Sequence, residues 1–181
     1  MSETAPRTST AERSPSSNAL EEAFSCYQAE LLGMLYHLVG DIEDARDALQ
    51  ETFIKCWRHR EKVPELDNLK AWVFRIALNT GRDVRQTAWR RRKKSLPEDE
   101  TTIASHREGP ESEVEHQERL ALVRDAVSRL RTEEQEVFLL RQNAQLTYEQ
   151  IADTMGIPTG TVKTRMRLAL IRLREALAQT E

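Results

Sequence analysis

The last third of the sequence holds side chains whose types and spacing fit contact with DNA. The segment LTYEQIADTMGIPTGTVKTRMRLAL combines a short amphipathic helix, a glycine-containing turn and a second, basic helix, which together are the parts of a helix-turn-helix. Thr147 precedes Gln150 by three residues, as in a capping box, and Gly156 suits the left-handed position after a helix. Thr132 and Gln135 form a second pair with capping-box spacing at the start of an earlier helix. A helical hairpin with a solvated basic face is the alternative interpretation.

The final helix is predicted to present a basic face to a major groove. Its inward stripe is predicted to include Val162, Met166 and Leu170, with Leu173 and Leu177 further along. The opposite face and its flanks then carry Gly160, Lys163, Thr164, Arg165, Arg167 and Leu168. Arginine and lysine can donate to guanine or phosphate, and threonine can bond to either. This helix is therefore the candidate recognition helix.

A second basic helix is predicted in the first half of the chain, with Asn68 as its cap. Its apolar stripe at helical spacing is Leu69, Trp72, Val73, Ile76, Ala77 and Thr80. The opposite side carries Arg75, Asn79, Arg82 and Arg85, followed by Trp89 and the basic run Arg90, Arg91, Arg92, Lys93 and Lys94. Arginines neutralise phosphates, and asparagine and tryptophan can hold an unstacked base. By itself this pattern is more often a solvated basic helix end, with Trp89 as a packing residue.

The segment DARDALQETFIKCW carries a third polar face. Asp47, Gln50 and Glu51 lie on the side away from Phe53 and Trp57, with Asp44 beside them. A polar face next to apolar residues is compatible with docking to a partner and also with ordinary solvation.

Composition and charge predict an all-α chain of two small helical domains joined by a flexible linker, the C-terminal one a helix-turn-helix. Of 181 residues only 6 are Gly and 6 are Pro, and the formal net charge of −3 conceals two basic regions separated by an acidic one. We predict a disordered tail over residues 1–18, a domain over 19–95, a flexible acidic linker over 96–115, and a domain over 116–181. The first domain is expected to close its core around Phe53, Trp57 and Trp72.

The pattern argues against catalysis and against a metal or cofactor site. The four histidines are scattered, no phosphate-binding glycine loop is present, and no His, Cys and carboxylate grouping has metal-ligand spacing. Cys26 and Cys56 are interpreted as small buried hydrophobes in a reducing compartment. No apolar run approaches the length of a membrane span, so we predict a cytoplasmic chain without membrane insertion.

Taken in order, these segments resemble the extracytoplasmic-function (ECF) group of the sigma-70 family. DIEDARDALQETFIKCWRHR resembles the segment that docks on the clamp of RNA polymerase, and NLKAWVFRIALNTGRDVRQTAWRRRKK resembles the helix that recognises and opens the minus-ten promoter element. Residues 129–177 resemble the domain that recognises the minus-thirty-five element.

The resemblance implies a sigma factor rather than an enzyme, with core RNA polymerase (clamp and flap regions) and promoter DNA as partners. It assigns polymerase binding to Asp47, Gln50 and Glu51. It assigns minus-ten contacts to Arg75, Asn79, Arg82, Arg85, Trp89, Arg90 and Arg91. It assigns minus-thirty-five contacts to Thr161, Lys163, Thr164, Arg165 and Arg167.

The sequence departs from the family after Arg167, where many members carry arginines and this chain has Leu168 and Leu170. We expect Leu168 and Ile171 to point outward and to bind a regulatory partner such as an anti-sigma factor. The alternative function is a stand-alone helix-turn-helix transcription regulator with an N-terminal dimerisation or sensing domain.

Overall fold

The structure, a computed structural model, describes residues 15–94 and 111–178, and all regular structure in these two ranges is helical. The first range holds α1 (Pro15–Val39), α2 (Ile42–Arg58), a 3-10 helix (Arg60–Glu65) and α3 (Leu69–Lys94). The second range holds α4 (Glu111–Ser128), α5 (Thr132–Gln142), α6 (Tyr148–Met155) and α7 (Thr159–Ala178). The all-α prediction is confirmed.

The N-terminal cluster consists of α1, α2 and α3, each of which packs against the other two. Its core is centred on Phe74 of α3 and on apolar side chains of α1, among them Leu31, Met34 and Leu35, all of them fully buried. Phe53, Trp57 and Trp72, which were expected to form the centre, are only half-buried and pack against its edge. The prediction missed Phe74 because it lies one position beyond the expected stripe of α3, next to the buried Val73.

Side-chain caps begin two of these helices, one of them at the predicted Asn68. The Asp41 carboxylate accepts hydrogen bonds from the backbone N–H groups of Glu43 at 2.8 Å and Asp44 at 3.0 Å, directly after Gly40 turns the chain with φ of +84°. The Asn68 side-chain oxygen accepts from the N–H of Ala71 at 2.9 Å. These bonds satisfy donors that have no partner within the helix.

The C-terminal cluster consists of α4 to α7, with α7 in contact with the other three helices. Its buried side chains come from every helix and from the loop before α6; they include Val127, Val137, Leu139, Leu140, Leu146, Ile151, Val162 and Met166. The short α6 has too few residues to be stable alone, so its stability depends on this packing.

Two helices begin four or five residues before the predicted domain boundaries. Helix α1 begins at Pro15, inside the predicted tail 1–18, and proline is favoured in a first turn because its missing N–H has no helical partner there. Helix α4 begins at Glu111, inside the predicted linker 96–115. The rest of the predicted tail and linker, residues 1–14 and 95–110, lies outside the described residues.

The two clusters are in direct contact. Helix α1 packs against α4 and α5, and α3 packs against α6. At one close approach a Cβ atom added to Gly33 of α1 would lie 3.1 Å from the side-chain nitrogen of Asn143, at the end of α5. Buried apolar side chains of both clusters form one continuous core.

The cysteines differ from each other. Cys56 is buried as predicted, and burial raises the pKa of its thiol to about 12, which leaves it unreactive. Cys26 is exposed, so its interpretation as a buried hydrophobe is wrong. It follows Phe24 by two positions and therefore leaves the buried face of α1.

No helix within the described ranges is long and apolar enough to cross a membrane.

Candidate nucleic-acid interface

Helices α6 and α7 form the predicted helix-turn-helix. The Thr147 hydroxyl accepts from the N–H of Gln150 at 3.2 Å, and the Gln150 side chain accepts from the N–H of Thr147 at 2.9 Å, which completes the capping box. Gly156 adopts the left-handed conformation with φ of +67° and ends α6. The Pro158 carbonyl then accepts from the N–H groups of Thr161 and Val162 and so begins α7. These local bonds define where α6 begins and ends and where α7 begins.

The outer face of α7 carries the predicted recognition residues. Lys163, Thr164 and Arg167 are exposed, whereas Thr161 and Arg165 are half-buried. The Thr164 hydroxyl donates to the Gly160 carbonyl at 3.0 Å, so its oxygen still has a free lone pair for a ligand. Within residues 15–94 and 111–178, the cations of this face have no carboxylate partner. The helix therefore presents solvated positive charge that could contact phosphates or base edges.

The apolar side of α7 is rotated relative to the prediction. Its buried residues are Val162, Met166, Ala169 and Leu173. Leu170 is 37% exposed, and so is Leu177, because the stripe follows the spacing i, i+4, i+7 and i+11 through the small Ala169. Leu168 and Ile171 are half-buried instead of outward. The expected exposed pair is therefore absent, and the exposed apolar side chain in this turn is Leu170.

Five of the seven predicted minus-ten residues have described side chains on α3, and three of these are exposed. Arg75 and Asn79 are exposed, and Arg90 near the end of the helix is exposed as well. Trp89 and Arg91 belong to α3, but their side chains lie outside the described residues. Helix α2 holds this face in place through Lys55, whose ammonium donates to the hydroxyl of the buried Thr80 at 3.1 Å.

Arg82 and Arg85 meet a carboxylate of the other cluster. The Arg82 guanidinium donates to both oxygens of Glu136, at 2.8 and 2.6 Å, and Arg85 lies 3.5 Å from the same carboxylate. The hydrogen bond to Glu136 raises the pKa of Arg82, against the lowering effect of partial burial. Arg82 also donates to the Asn79 side-chain oxygen at 3.3 Å. Two of the predicted minus-ten residues thus meet at one anion, and a third, Asn79, contacts one of them.

Glu136 is a functional candidate that the sequence interpretation missed. Its side chain is only 2% exposed. A signal was present, because Glu136 precedes Leu139 and Leu140 by three and four positions and therefore lies on the apolar stripe of α5. A charged residue on such a stripe usually indicates a buried partner.

The predicted polymerase-binding residues lie together on the outer face of α2. Asp47, Gln50 and Glu51 are exposed, and Glu51 forms an ion pair with Lys55 at 2.9 Å. Gln50 borders a cleft of about 580 Å³ between α1 and α2. Its apolar lining comes from Phe24, Leu49, Phe53 and Ile54, of which Ile54 is 48% exposed. An apolar cleft with a polar rim is typical of a protein-binding surface.

The described residues offer little for catalysis. No group of three or more His, Cys, Asp or Glu side chains within them could hold a metal ion. The most prominent side-chain arrangements are instead two basic helical faces and a polar docking face. These features define an all-helical, helix-turn-helix DNA-binding protein.

Comparison with known proteins gives the family. The sequence model for sigma-70 region 2 matches residues 23–94, and the model for sigma-70 region 4 matches residues 120–173. The RNA polymerase sigma-H factor of Pseudomonas aeruginosa is 32% identical over 163 residues, which cover 83% of this chain and 80% of that protein. The sigma-E factor of Streptomyces coelicolor is 32% identical over 157 residues, covering 87% of this chain and 85% of that protein.

The chain therefore belongs to the sigma-70 family, in its ECF group. The ECF sigma factor SigE of Mycolicibacterium smegmatis is also 32% identical over 147 residues, and this chain spans 56% of its length. The solved structure of sigma factor RpoE in complex with the anti-sigma factor NepR from Bartonella quintana shares the fold, with a TM-score of 0.69 at 23% identity over 89% of this chain and 98% of that one. Sigma factors are non-enzymatic subunits that direct RNA polymerase to promoters.

Proposed function

We propose that this chain binds core RNA polymerase and directs initiation at promoters by contacting DNA at two separate sites. The observation that carries the proposal is the outer face of α7, where Lys163, Thr164 and Arg167 project into solvent from a capped helix-turn-helix. We assign this face to the minus-thirty-five element. Thr161 and Arg165 lie at its edges and are assigned supporting contacts.

We assign the minus-ten element to α3. Arg75 and Asn79 are exposed there, and Arg82 and Arg85 extend the same surface. The α3 residues Trp89, Arg90 and Arg91 are proposed to continue it toward the linker. An exposed amide beside arginines can accept an unstacked base while the cations neutralise the flanking phosphates. Two weak DNA contacts held on one polymerase gain joint affinity through effective concentration.

We assign polymerase docking to the cleft between α1 and α2. Asp47, Gln50 and Glu51 supply a polar rim beside the half-exposed Ile54. A partner that fills the cleft would bury apolar surface while the rim selects its orientation. The flap region of polymerase is the proposed partner of the C-terminal cluster. The cytoplasm is the compartment in which such a complex would work.

We also propose an anti-sigma factor as a partner. A structural relative that shares the fold over 89% of this chain was solved with one. We assign the apolar contact with this partner to Leu170 instead of Leu168 and Ile171, because Leu170 alone of the three is exposed.

The test is transcription from a promoter library by core RNA polymerase with and without the purified chain. We expect promoter-specific transcripts only when the chain is present. Arg167→Ala should relax the preference at one minus-thirty-five base pair, at a cost of about 1–3 kcal/mol, and Arg90→Ala should weaken all promoters alike. Specific binding of duplex DNA by the chain alone, as a dimer on a palindrome, would favour a stand-alone regulator instead.

A further inference from the structure

The Arg82–Arg85 pair of α3 is occupied by a carboxylate from the other end of the chain. Glu136 of α5 accepts two hydrogen bonds from Arg82, at 2.8 and 2.6 Å, and lies 3.5 Å from Arg85. We call these three side chains the interdomain ion cluster. They line a cleft between the two helical clusters, together with residues such as Gln86 and Thr132.

The geometry of this cluster is that of anion recognition. A guanidinium that donates two parallel bonds to a carboxylate has the same arrangement with which arginine holds a phosphate. The two arginines are 39% and 32% exposed, whereas Glu136 is 2% exposed. The cationic side of the site is therefore open to water, and only the resident anion is enclosed.

A second contact between the clusters lies next to the first. Gln135 is buried, and its side-chain amide donates to the carbonyl of His37 on α1 at 3.1 Å and to that of Val127 on α4 at 3.2 Å. Gly33 of α1 approaches Asn143 so closely that an added Cβ would lie 3.1 Å from its side-chain nitrogen. The packing of the two clusters therefore holds the Glu136 carboxylate next to the arginines.

We propose that Glu136 is an internal competitor for DNA phosphate at the Arg82–Arg85 site. While the two helical clusters are in contact, the carboxylate occupies the place that a strand phosphate would take, and Arg82 also engages the oxygen of Asn79. Any separation of the two clusters would free all three side chains. This inference rests on the proposed role of α3 in minus-ten recognition and adds its regulation.

Glu136→Gln is the variant that tests the inference most directly. The amide has nearly the same shape as the carboxylate but carries no charge, so no ion is left buried. The released arginines are partly exposed and can be solvated. Substitution of the arginines would be less informative, because it leaves the Glu136 anion enclosed without a counter-charge. The matched control is Glu134→Gln, which removes the same charge from the same helix at a residue that pairs with Arg172 inside the C-terminal cluster.

The experiment measures the affinity of the full chain, without polymerase, for a fluorescent single-stranded DNA 20-mer of random sequence, together with its radius of gyration by small-angle X-ray scattering. We expect Glu136→Gln to expand the chain and to bind about tenfold more tightly than the unaltered protein, a gain that would correspond to a binding-competent fraction of about one tenth in the unaltered protein. Glu134→Gln should change neither quantity. The gain should vanish when Arg82→Met is added to Glu136→Gln.

Gly33→Leu provides a second, independent variant. It crowds the interface at Asn143 without substituting any residue of the ion cluster, and leucine is a better helix former than glycine. It should reproduce the expansion and the gain in affinity. If Glu136→Gln and Gly33→Leu both keep the original radius and affinity, or if they expand without tighter binding, the inference is overturned. Promoter-specific transcription by the unaltered chain with core polymerase, measured in parallel, would show that the proposed function stands even then.

Discussion

Arg167 and Arg172 lie five residues apart on α7, and the same substitution should affect a different property at each: DNA affinity at Arg167 and stability at Arg172. Arg172 donates to the Glu134 carboxylate of α5, whose side chain is 4% exposed. Arg172→Met keeps the aliphatic stem but leaves that carboxylate buried without a counter-charge. Arg167 is exposed and has no ion-pair partner within the described ranges. Arg172→Met is therefore expected to lower stability, and Arg167→Met to lower DNA affinity.

The magnitudes follow from burial. Removal of one partner of a buried ion pair costs about 3–5 kcal/mol, and since Arg172 is 32% exposed the lower end, about 3 kcal/mol, applies. In a chain of this length with one continuous core each kcal/mol shifts the Tm by about 2–4 °C, so Arg172→Met should lower it by about 6–12 °C. Arg167→Met should change stability by less than about 0.5 kcal/mol. It should weaken recognition of a cognate minus-thirty-five duplex by about 1–3 kcal/mol.

Thermal unfolding followed by circular dichroism measures the first effect, and anisotropy of a labelled promoter fragment with reconstituted holoenzyme measures the second. A rescue experiment distinguishes an unpaired charge from lost packing. Glu134→Gln added to Arg172→Met should restore most of the Tm, because no buried ion remains. A Tm within about 2 °C of the original for Arg172→Met, or failure of the rescue, would refute the reasoning from burial.

Three further predictions concern the turn and the interface. Thr147→Ala should destabilise the C-terminal cluster by about 1 kcal/mol, seen as a lower urea midpoint, because the hydroxyl that accepts from the N–H of Gln150 is lost. Gly156→Ala should destabilise the C-terminal cluster by about 1 kcal/mol or more, since its φ of +67° disfavours any Cβ. In the same assay the control Gly160→Ala, with open space around the added Cβ, should stabilise α7 slightly. Burial and the charge of Arg124 lower the pKa of His37, so the neutral ring stabilises the folded chain. That contribution is present above the ordinary histidine pKa of 6.5 and is lost as pH falls toward the lowered value; His37→Gln should flatten the pH dependence of the Tm, and an unchanged profile would contradict this.

Local signals predicted the helices and two of their caps, but an identical signal failed where tertiary contacts intervened. Thr147 and Gln150 form the expected capping box, whereas Thr132 and Gln135, with the same spacing, do not. Helix α5 has Arg131 at its N-cap with no side-chain bond. Gln135 donates instead to carbonyls of α1 and α4. A capping pattern describes what a glutamine can reach within its own helix, and it carries no information about acceptors brought near by folding.

The inward face of α7 shows a similar limit. Apolar residues at Leu170 and Leu177 fit the helical period, yet the structure buries Ala169 instead. Periodicity predicts that α7 has an apolar stripe, but the helices packed against α7 determine which residues lie at its centre. A small residue such as Ala169 is favoured there because it allows the closest approach of two helix backbones. Leu168 and Ile171 consequently turn partly inward, which the pattern of large side chains could not indicate.

The two basic faces look alike in sequence but differ in the folded chain. The cations of α7 extend from their own helical cluster into water, so their availability depends only on the local fold. Arg82 and Arg85 are half-buried, and Glu136 neutralises them from more than fifty residues away along the chain. Opposite charges in contact reduce the potential that a phosphate experiences, and this effect lasts only as long as the two clusters touch. The availability of the α7 cations therefore follows from their own helix and could be predicted from the sequence. The availability of Arg82 and Arg85 depends on whether the two clusters are in contact, and this required the structure.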